Sequence, residues 1–307
     1  MLYPRIFSWV FYYPLLFPTI TYYPLSLSTI TYHSLLFPTI YGSVAHSRIN
    51  NMADNIESLL ENLEEAQTQS GNTTLSKSWF LGFDTETTGA DTKNDCIVSA
   101  TLVLRNPILG HAGDVIATWL VNPHHPMNPQ ASAVNGFSDE YLQENGGEPV
   151  EEIELLAKAV SIAQSKNIPL LAYNAPFDVS MLRHDIKRWD LEPLENREKS
   201  SINNGDILVV DPLVIDRALS WRKGKRTLTA TTQFYGVEPI GNFHDATADT
   251  VAAVDLMQPL CKTYDIVANM TLDKLMDYER AEYAKWAKSF NLWLQSKGGK
   301  PTSESWL

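Results

Sequence analysis

Two carboxylates stand two residues apart in "GFDTETTG", Gly82 to Gly89, directly after the apolar run Trp79-Phe80-Leu81. Successive strand side chains alternate faces, so Asp84 and Glu86 point the same way at the end of an apolar strand. At roughly 5 Å and an effective dielectric near 20, two such charges repel by about 3 kcal/mol. Either open water screens the pair or a cation stands between them. Two further stretches hold acids in apolar settings. "LLAYNAPFDVSML" places Asp178 in the first turn of a helix, just after an apolar strand. A negative charge there is favoured by about 0.3–1 kcal/mol, which accounts for an acid without further chemistry. "FHDATADTVAAVDLM" places His244 near the start of a helix and Asp249 on it, among Ala246, Ala248, Ala252 and Ala253. Taken singly, these are an exposed imidazole and an acid on a solvated helix face.

The elements that must position these residues follow an α/β pattern. Strands are predicted at Trp79–Thr85, Ile97–Leu104 and Val115–Val121, joined by short turns. A helix follows over Val150–Gln164, then a strand at Pro169–Tyr173 and a helix over Phe177–Trp189. A strand at Ile207–Val210 precedes helices at Leu213–Leu219, Leu228–Tyr235 and Ala246–Thr263. Three strands in a row, then alternating helix and strand, imply a mixed five-stranded sheet with helices against its faces. Apolar residues at Leu272, Met276, Tyr283, Trp286, Phe290 and Trp293 add a C-terminal amphipathic helix. That helix packs on the domain or presents a stripe to a partner.

The 307 residues suffice for one large or two ordinary domains, and 44% hydrophobic content is ordinary for a soluble globular chain. Cys96 and Cys261 lie far apart and form no metal or redox motif, which points to free thiols in a reducing, cytoplasmic setting. A net charge of -12 argues against a protein that coats nucleic acid with a broad basic surface. It is compatible with clustered carboxylates beside a small basic patch. Residues 1–41 differ from the rest: "FYYPLLFPTI", "TYYPLSLSTI" and "TYHSLLFPTI" are consecutive near-repeats, with no Asp, Glu, Lys or Arg between Arg5 and Arg48. A signal peptide would need a stronger basic start and a shorter apolar core. A membrane helix of about 20 residues is interrupted by Pro14, Pro18, Pro24 and Pro38. Met52 opens "MADNIESLLENLEEA", where Ile56, Leu59, Leu60 and Leu63 keep helical spacing. The expectation is that residues 1–51 are a translated upstream repeat outside the native protein, with membrane attachment as the alternative.

Together, and in this order, the three motifs resemble those of the DEDD superfamily of 3'→5' exonucleases, in the variant whose third motif is H-x-x-x-x-D. From about Phe80 to Pro259 the chain is similar to the epsilon-type proofreading exonucleases of bacterial DNA polymerase III and their stand-alone relatives. The resemblance implies a ribonuclease-H-like fold over residues 77–265, after an acidic helix and polar linker at 52–76 and before the C-terminal helix and tail at 266–307. It further implies that Asp84, Glu86, Asp178 and Asp249 hold two divalent cations, Mg²⁺ or Mn²⁺, and that His244 is the general base. Elementary chemistry agrees. Hard cations prefer carboxylate oxygens, two of them about 4 Å apart serve both sides of an in-line displacement, and an imidazole with a pKa near 6.5 accepts a water's proton near neutrality.

By the same resemblance Thr85 and Thr87 lie along the terminal nucleotide, with Asn174 and Phe177 flanking it. "ASAVNGFSDEYL" resembles the segment that contacts that nucleotide, with Asn135 where a His is common. In "WRKGKRTLT", Arg222, Lys223, Lys225 and Arg226 form the densest positive run of the chain. It is expected to be a loop that clamps phosphates upstream of the scissile bond. The expected function is release of nucleoside monophosphates from 3' ends, foremost of single-stranded DNA, in proofreading, repair or turnover. The alternatives are an exoribonuclease or oligoribonuclease on the same fold, and an inactive binding module, against which the presence of all five catalytic positions weighs. The helix from Leu272 is the candidate contact for a DNA polymerase or clamp, and no membrane partner is expected.

Overall fold

The run Ile97–Arg105 is buried at every position, as a strand covered on both faces must be. It forms β2 of a five-stranded sheet. β1 (Phe80–Thr87) and β3 (Val115–Leu120) flank it antiparallel. Two short strands, β4 (Leu170–Leu171) and β5 (Val209–Val210), continue the sheet in parallel beyond β1, giving the order β3-β2-β1-β4-β5. This is the mixed, helix-flanked sheet expected from the sequence. The computed structural model describes the backbone of residues 39–238 and 246–307 and, within these, side chains from residue 52. Residues 1–38, which hold all but the last two residues of the decapeptide repeats, and His244 lie outside the described residues. Among the described residues no helix is long and apolar enough to cross a membrane.

The helices are α1 (Thr39–Glu65), α2 (Pro129–Asn135), α3 (Asp139–Asn145), α4 (Pro149–Ser165), α5 (Pro176–Arg188), α6 (Pro212–Leu219), α7 (Leu228–Tyr235), α8 (Ala246–Asp255), α9 (Met257–Thr263), α10 (Asp265–Ala268) and α11 (Leu272–Ser296). α1 runs unbroken through Met52, and Ile56, Leu59 and Leu63 join the main core. The segment expected as a free polar linker is tied down. Gln69 accepts the Trp79 N–H and donates to the Asn167 carbonyl, each at 2.9 Å, and Leu75 is buried. The single helix expected over Ala246–Thr263 is two, α8 and α9, joined at Leu256. Pro259 explains the break: it has no N–H to give the Asp255 carbonyl, and it is tolerated in the first turn of a new helix. α2 and α3, which were not anticipated, start at Asn128 and Ser138, whose side chains accept the N–H groups of Gln130 and Tyr141.

The two faces of β1 are served by different helices. Gly82 faces α8 so closely that an added Cβ would lie 2.5 Å from Val254 Cγ2 and 2.9 Å from Thr250 Cγ2. Thr85, on the other parity, bonds to Asp178 of α5. At the far edge, β5 meets α11 rather than another strand. The Val209 N–H points to Met276 Sδ at 3.2 Å, and the Asp211 N–H donates to Glu279 Oε1 at 3.0 Å. α11 buries Leu272, Leu275, Met276, Glu279 and Ala287, while Arg217 of α6 lies 3.6 Å from the centre of the Trp286 ring. Most of the expected stripe is thus packed; Leu292 and Trp293 remain exposed.

Gly82→Ala is expected to cost about 1–3 kcal/mol, the usual range for forcing a methyl into a packed contact. α8 must lift from β1 to admit it. Chemical denaturation of the two proteins side by side measures the cost, and equal midpoints would show that the helix is not seated on Gly82.

Candidate active site

The carboxyl ends of β1 and β4 lie side by side because these strands are parallel, and the acids gather there. Asp84 and Glu86 are half-buried between buried neighbours at the end of β1. The pairing of β1 with β2 shifts register between Glu86 and Thr87; such irregularities re-aim side chains at strand ends. Asp249 comes from the first turn of α8, on the face of β1 that carries Asp84. Asp178 comes from the first turn of α5, only 3% exposed. Its Oδ1 accepts both the Thr85 N–H at 3.0 Å and the Thr85 hydroxyl at 2.7 Å. Four acids from three separate elements therefore meet at one strand end.

Their charges bear on one another. The Asp84 carboxyl is pushed well above the usual aspartate range, first by burial and then by the charges of Asp178, Glu86 and Asp249. Burial raises Asp178 to about 7, against the two Thr85 hydrogen bonds that favour its charged form, and the Asp211 charge adds to the rise. Among the described residues no three His, Cys, Asp or Glu side chains stand as a ready-made ligand set. A recessed group of oxygen donors that repel one another fits hard divalent cations, and Asp84, Glu86, Asp178 and Asp249 are the residues that would hold them.

The turn between β4 and α5 is fixed from outside. Asn174 adopts φ 70°, a left-handed conformation that Asn tolerates better than most residues. Asp211, at the N-cap of α6, accepts the Asn174 N–H on Oδ1 and the Ala175 N–H on Oδ2, both at 3.0 Å, and also the Leu213 N–H at 2.9 Å. Burial nonetheless raises Asp211 to about 6. Asp211 was missed in the sequence, although Asp before Pro at a helix start is a recognised capping signal.

The residues expected at the substrate fare unequally. Asn174 is exposed at this turn, and Phe177 is half-buried against the main core. Asn135, at the end of α2, donates to the Thr87 carbonyl at 3.2 Å, so its segment does border the acids. Thr85 and Thr87, expected along the nucleotide, direct their hydroxyls to Asp178 and to the Gly89 carbonyl. The basic loop departs most from expectation. Arg222 and Arg226 both pair with Asp216, which is wholly buried, and Tyr235 adds a hydroxyl to it at 2.9 Å. Arg222 also bonds the Lys225 carbonyl and Thr231, and Arg226 the carbonyls of Ser220 and Arg222. These two guanidiniums staple the loop and are not free for phosphates; Lys223 and Lys225 stand exposed.

The sequence pattern of the exonuclease family matches residues 81–257. The chain is similar to a DNA polymerase III subunit epsilon-like protein of Rhodobacter capsulatus, 30% identical over 193 residues that cover 60% of this chain and 24% of that protein. It is also similar to the PolC-type DNA polymerase III of Streptococcus pneumoniae, 27% identical over 186 residues, or 60% of this chain and 11% of that one. In fold it is similar to E. coli exonuclease I in complex with a dT13 oligonucleotide, with a TM-score of 0.50 at 22% identity, covering 66% of this chain and 43% of that one. The chain thus spans less than half the length of each of these proteins.

The raised Asp178 has a consequence for stability. The unfolded chain releases this proton near 3.8, the ordinary aspartate value, while the native state holds it to about 7. Between these values the native state binds more protons, so stability falls as pH rises through the window. Without a divalent cation, the protein is expected to melt at a lower temperature at pH 8 than at pH 5, and Asp178→Asn to flatten the difference. Calorimetry in EDTA at both pH values checks this, and Mn²⁺ should restore the wild-type loss at pH 8 but not alter the variant to the same extent.

Proposed function

The chain belongs to the exonuclease family, and we propose that it is a cation-dependent 3'→5' exonuclease releasing nucleoside monophosphates from single-stranded DNA. The observation that carries this reading is the placement of Asp84, Glu86, Asp178 and Asp249 from β1, α5 and α8 at the carboxyl end of β1, with Asp178 bonded to Thr85 of that strand. When bound, two divalent cations such as Mg²⁺ or Mn²⁺ acidify a water and offset the charge developing on the leaving oxygen. The chain's own residues do the rest. Asp84, Glu86, Asp178 and Asp249 supply the oxygen donors, and Thr85 fixes Asp178 through Oδ1. Asp211 holds the turn at Asn174 and Ala175, and so sets where Asn174 and Phe177 meet the terminal nucleotide. His244 takes the proton of the attacking water; removal of such a base costs about 10²–10⁴-fold in rate.

DNA is favoured as substrate because a protein of similar fold, E. coli exonuclease I, is in complex with dT13, and because relatives are a PolC-type DNA polymerase III and a DNA polymerase III epsilon-like protein. RNA ends would suit the same acids. Association with a DNA polymerase or clamp would use the exposed end of α11, where Leu292 and Trp293 stand in solvent. The free thiols, Cys96 buried and Cys261 pushed up to about 11 by burial, suit a reducing compartment such as the cytoplasm.

End-labelled single-stranded DNA, duplex DNA and RNA, each with and without Mg²⁺ or Mn²⁺, test the proposal. Mononucleotides should appear from the 3' end of single-stranded DNA only with the cation. Asp84→Asn and Asp178→Asn should abolish that release while leaving the fold intact, and His244→Ala should slow it about 10²–10⁴-fold with little change in cation binding. Faster turnover of RNA would favour the exoribonuclease, and strand binding without cleavage an inactive module.

A further inference from the structure

The loop between α6 and α7 sorts its side chains. Arg222 and Arg226 turn inward to Asp216, while Trp221, Lys223 and Lys225 turn outward. Gly224, at φ 104°, lets the chain reverse between the two lysines. Trp221 is 99% exposed. One exposed apolar side chain is unremarkable on a protein surface, but this one sits on a rigidly stapled loop beside the only outward positive charges of that loop. Phe234 on α7, itself exposed, stands against the loop's Arg222, whose guanidinium lies 5.3 Å from the centre of its ring. The loop is also tied to the candidate active site. Tyr173 donates its hydroxyl to the Arg226 carbonyl at 2.8 Å, and Tyr173 immediately precedes the Asn174–Asp178 turn.

We infer that Trp221 is a stacking platform for a base of the single-stranded DNA upstream of the scissile bond, with Lys223 and Lys225 holding the adjacent phosphates. Phe234, exposed on α7 beside Arg222, offers a second ring near the loop. The inference rests on the exonuclease reading, since it is the strand leading to the Asp84 site that the platform grips. The chemistry matches that strand. A chain of net charge -12 repels a polyanion, so local lysines must draw it in. Stacking is indifferent to base identity, which an enzyme that shortens any sequence requires. The arginines spend their charge inside the protein, so the loop arrives already ordered and loses little freedom when the strand binds.

The test is equilibrium binding of fluorescein-labelled dT3 and dT12 to the full chain in EDTA, followed over a range of salt concentrations. Trp221→Ala should weaken dT12 about tenfold, the lower range of losing one stacked base, and leave dT3 binding and the salt slope unchanged. Trp221→Phe should recover most of the loss. The double variant Lys223→Ser and Lys225→Ser should instead flatten the log–log salt slope by about 1.4, two contacts at about 0.7 each. Unchanged dT12 affinity in Trp221→Ala overturns the platform, as does an equal loss on dT3, and so does a wild type that binds no single strand. Cleavage separates the two ideas. Trp221-dependent binding by a wild type that cleaves nothing with Mn²⁺ would sink the exonuclease reading and keep the platform. Cleavage with Trp221-independent binding would do the reverse.

Discussion

Like-charge repulsion around Asp84 is the constraint that the rest of the structure must withstand. Four carboxylates at one strand end would part if any of their supports were loose, and the supports are correspondingly stiff. Gly82 allows α8 to lie against β1 without an intervening side chain, which fixes the height at which Asp249 arrives. Thr85 grips Asp178 twice from the opposite parity of the same strand. Asp211 then fixes the turn that leads into α5, using both of its oxygens on backbone N–H groups. One strand therefore holds two helices through its two faces, Gly82 seating α8 and Thr85 bonding the Asp178 carboxylate of α5 directly.

Much of this site is legible in the residues themselves because its signals are local. A two-residue spacing of acids after an apolar run, or an acid in a helix's first turn, is visible without knowing what lies opposite. The five strands are legible for the same reason. What escapes is non-local. Nothing near "WRKGKR" shows that Asp216, on the preceding helix, is wholly buried and takes two of its four charges. A positive run read by composition looks like four phosphate ligands, and packing leaves two. α2 and α3 are short, and their signals are the caps Asn128 and Ser138 rather than any apolar period. The division of α8 from α9 was written in Pro259, but a proline near a helix start and one in a helix interior look alike until the break is seen.

The buried pairing of Asp216 with Arg222 and Arg226 also shows how an acidic protein can present positive charge. Taking an acid out of water is costly unless its partners are well placed, and removing one partner leaves the other charge stranded. With Tyr235 and two guanidiniums on it, Asp216 is well served. The arginines act as internal fastenings and the lysines, with their compact and strongly hydrated charge, face solvent.

The meeting of β5 with α11 bears on how the protein avoids self-association. A sheet edge offers a row of unpaired N–H and C=O groups on which another chain can template. β5 is such an edge, only two residues long, and outward donors at Val209 and Asp211 are taken by Met276 and Glu279, spaced one turn apart on α11. The match between the two-residue repeat of a strand and the three-residue step of a helix lets one helix cap successive donors with side chains. A chain that lost α11 during synthesis, proteolysis or heating would uncover an apolar strand beside a buried carboxylate. Its first hazard would then be edge-to-edge aggregation, and the Asp211 that holds the Asn174–Ala175 turn would lose its Glu279 partner at the same time.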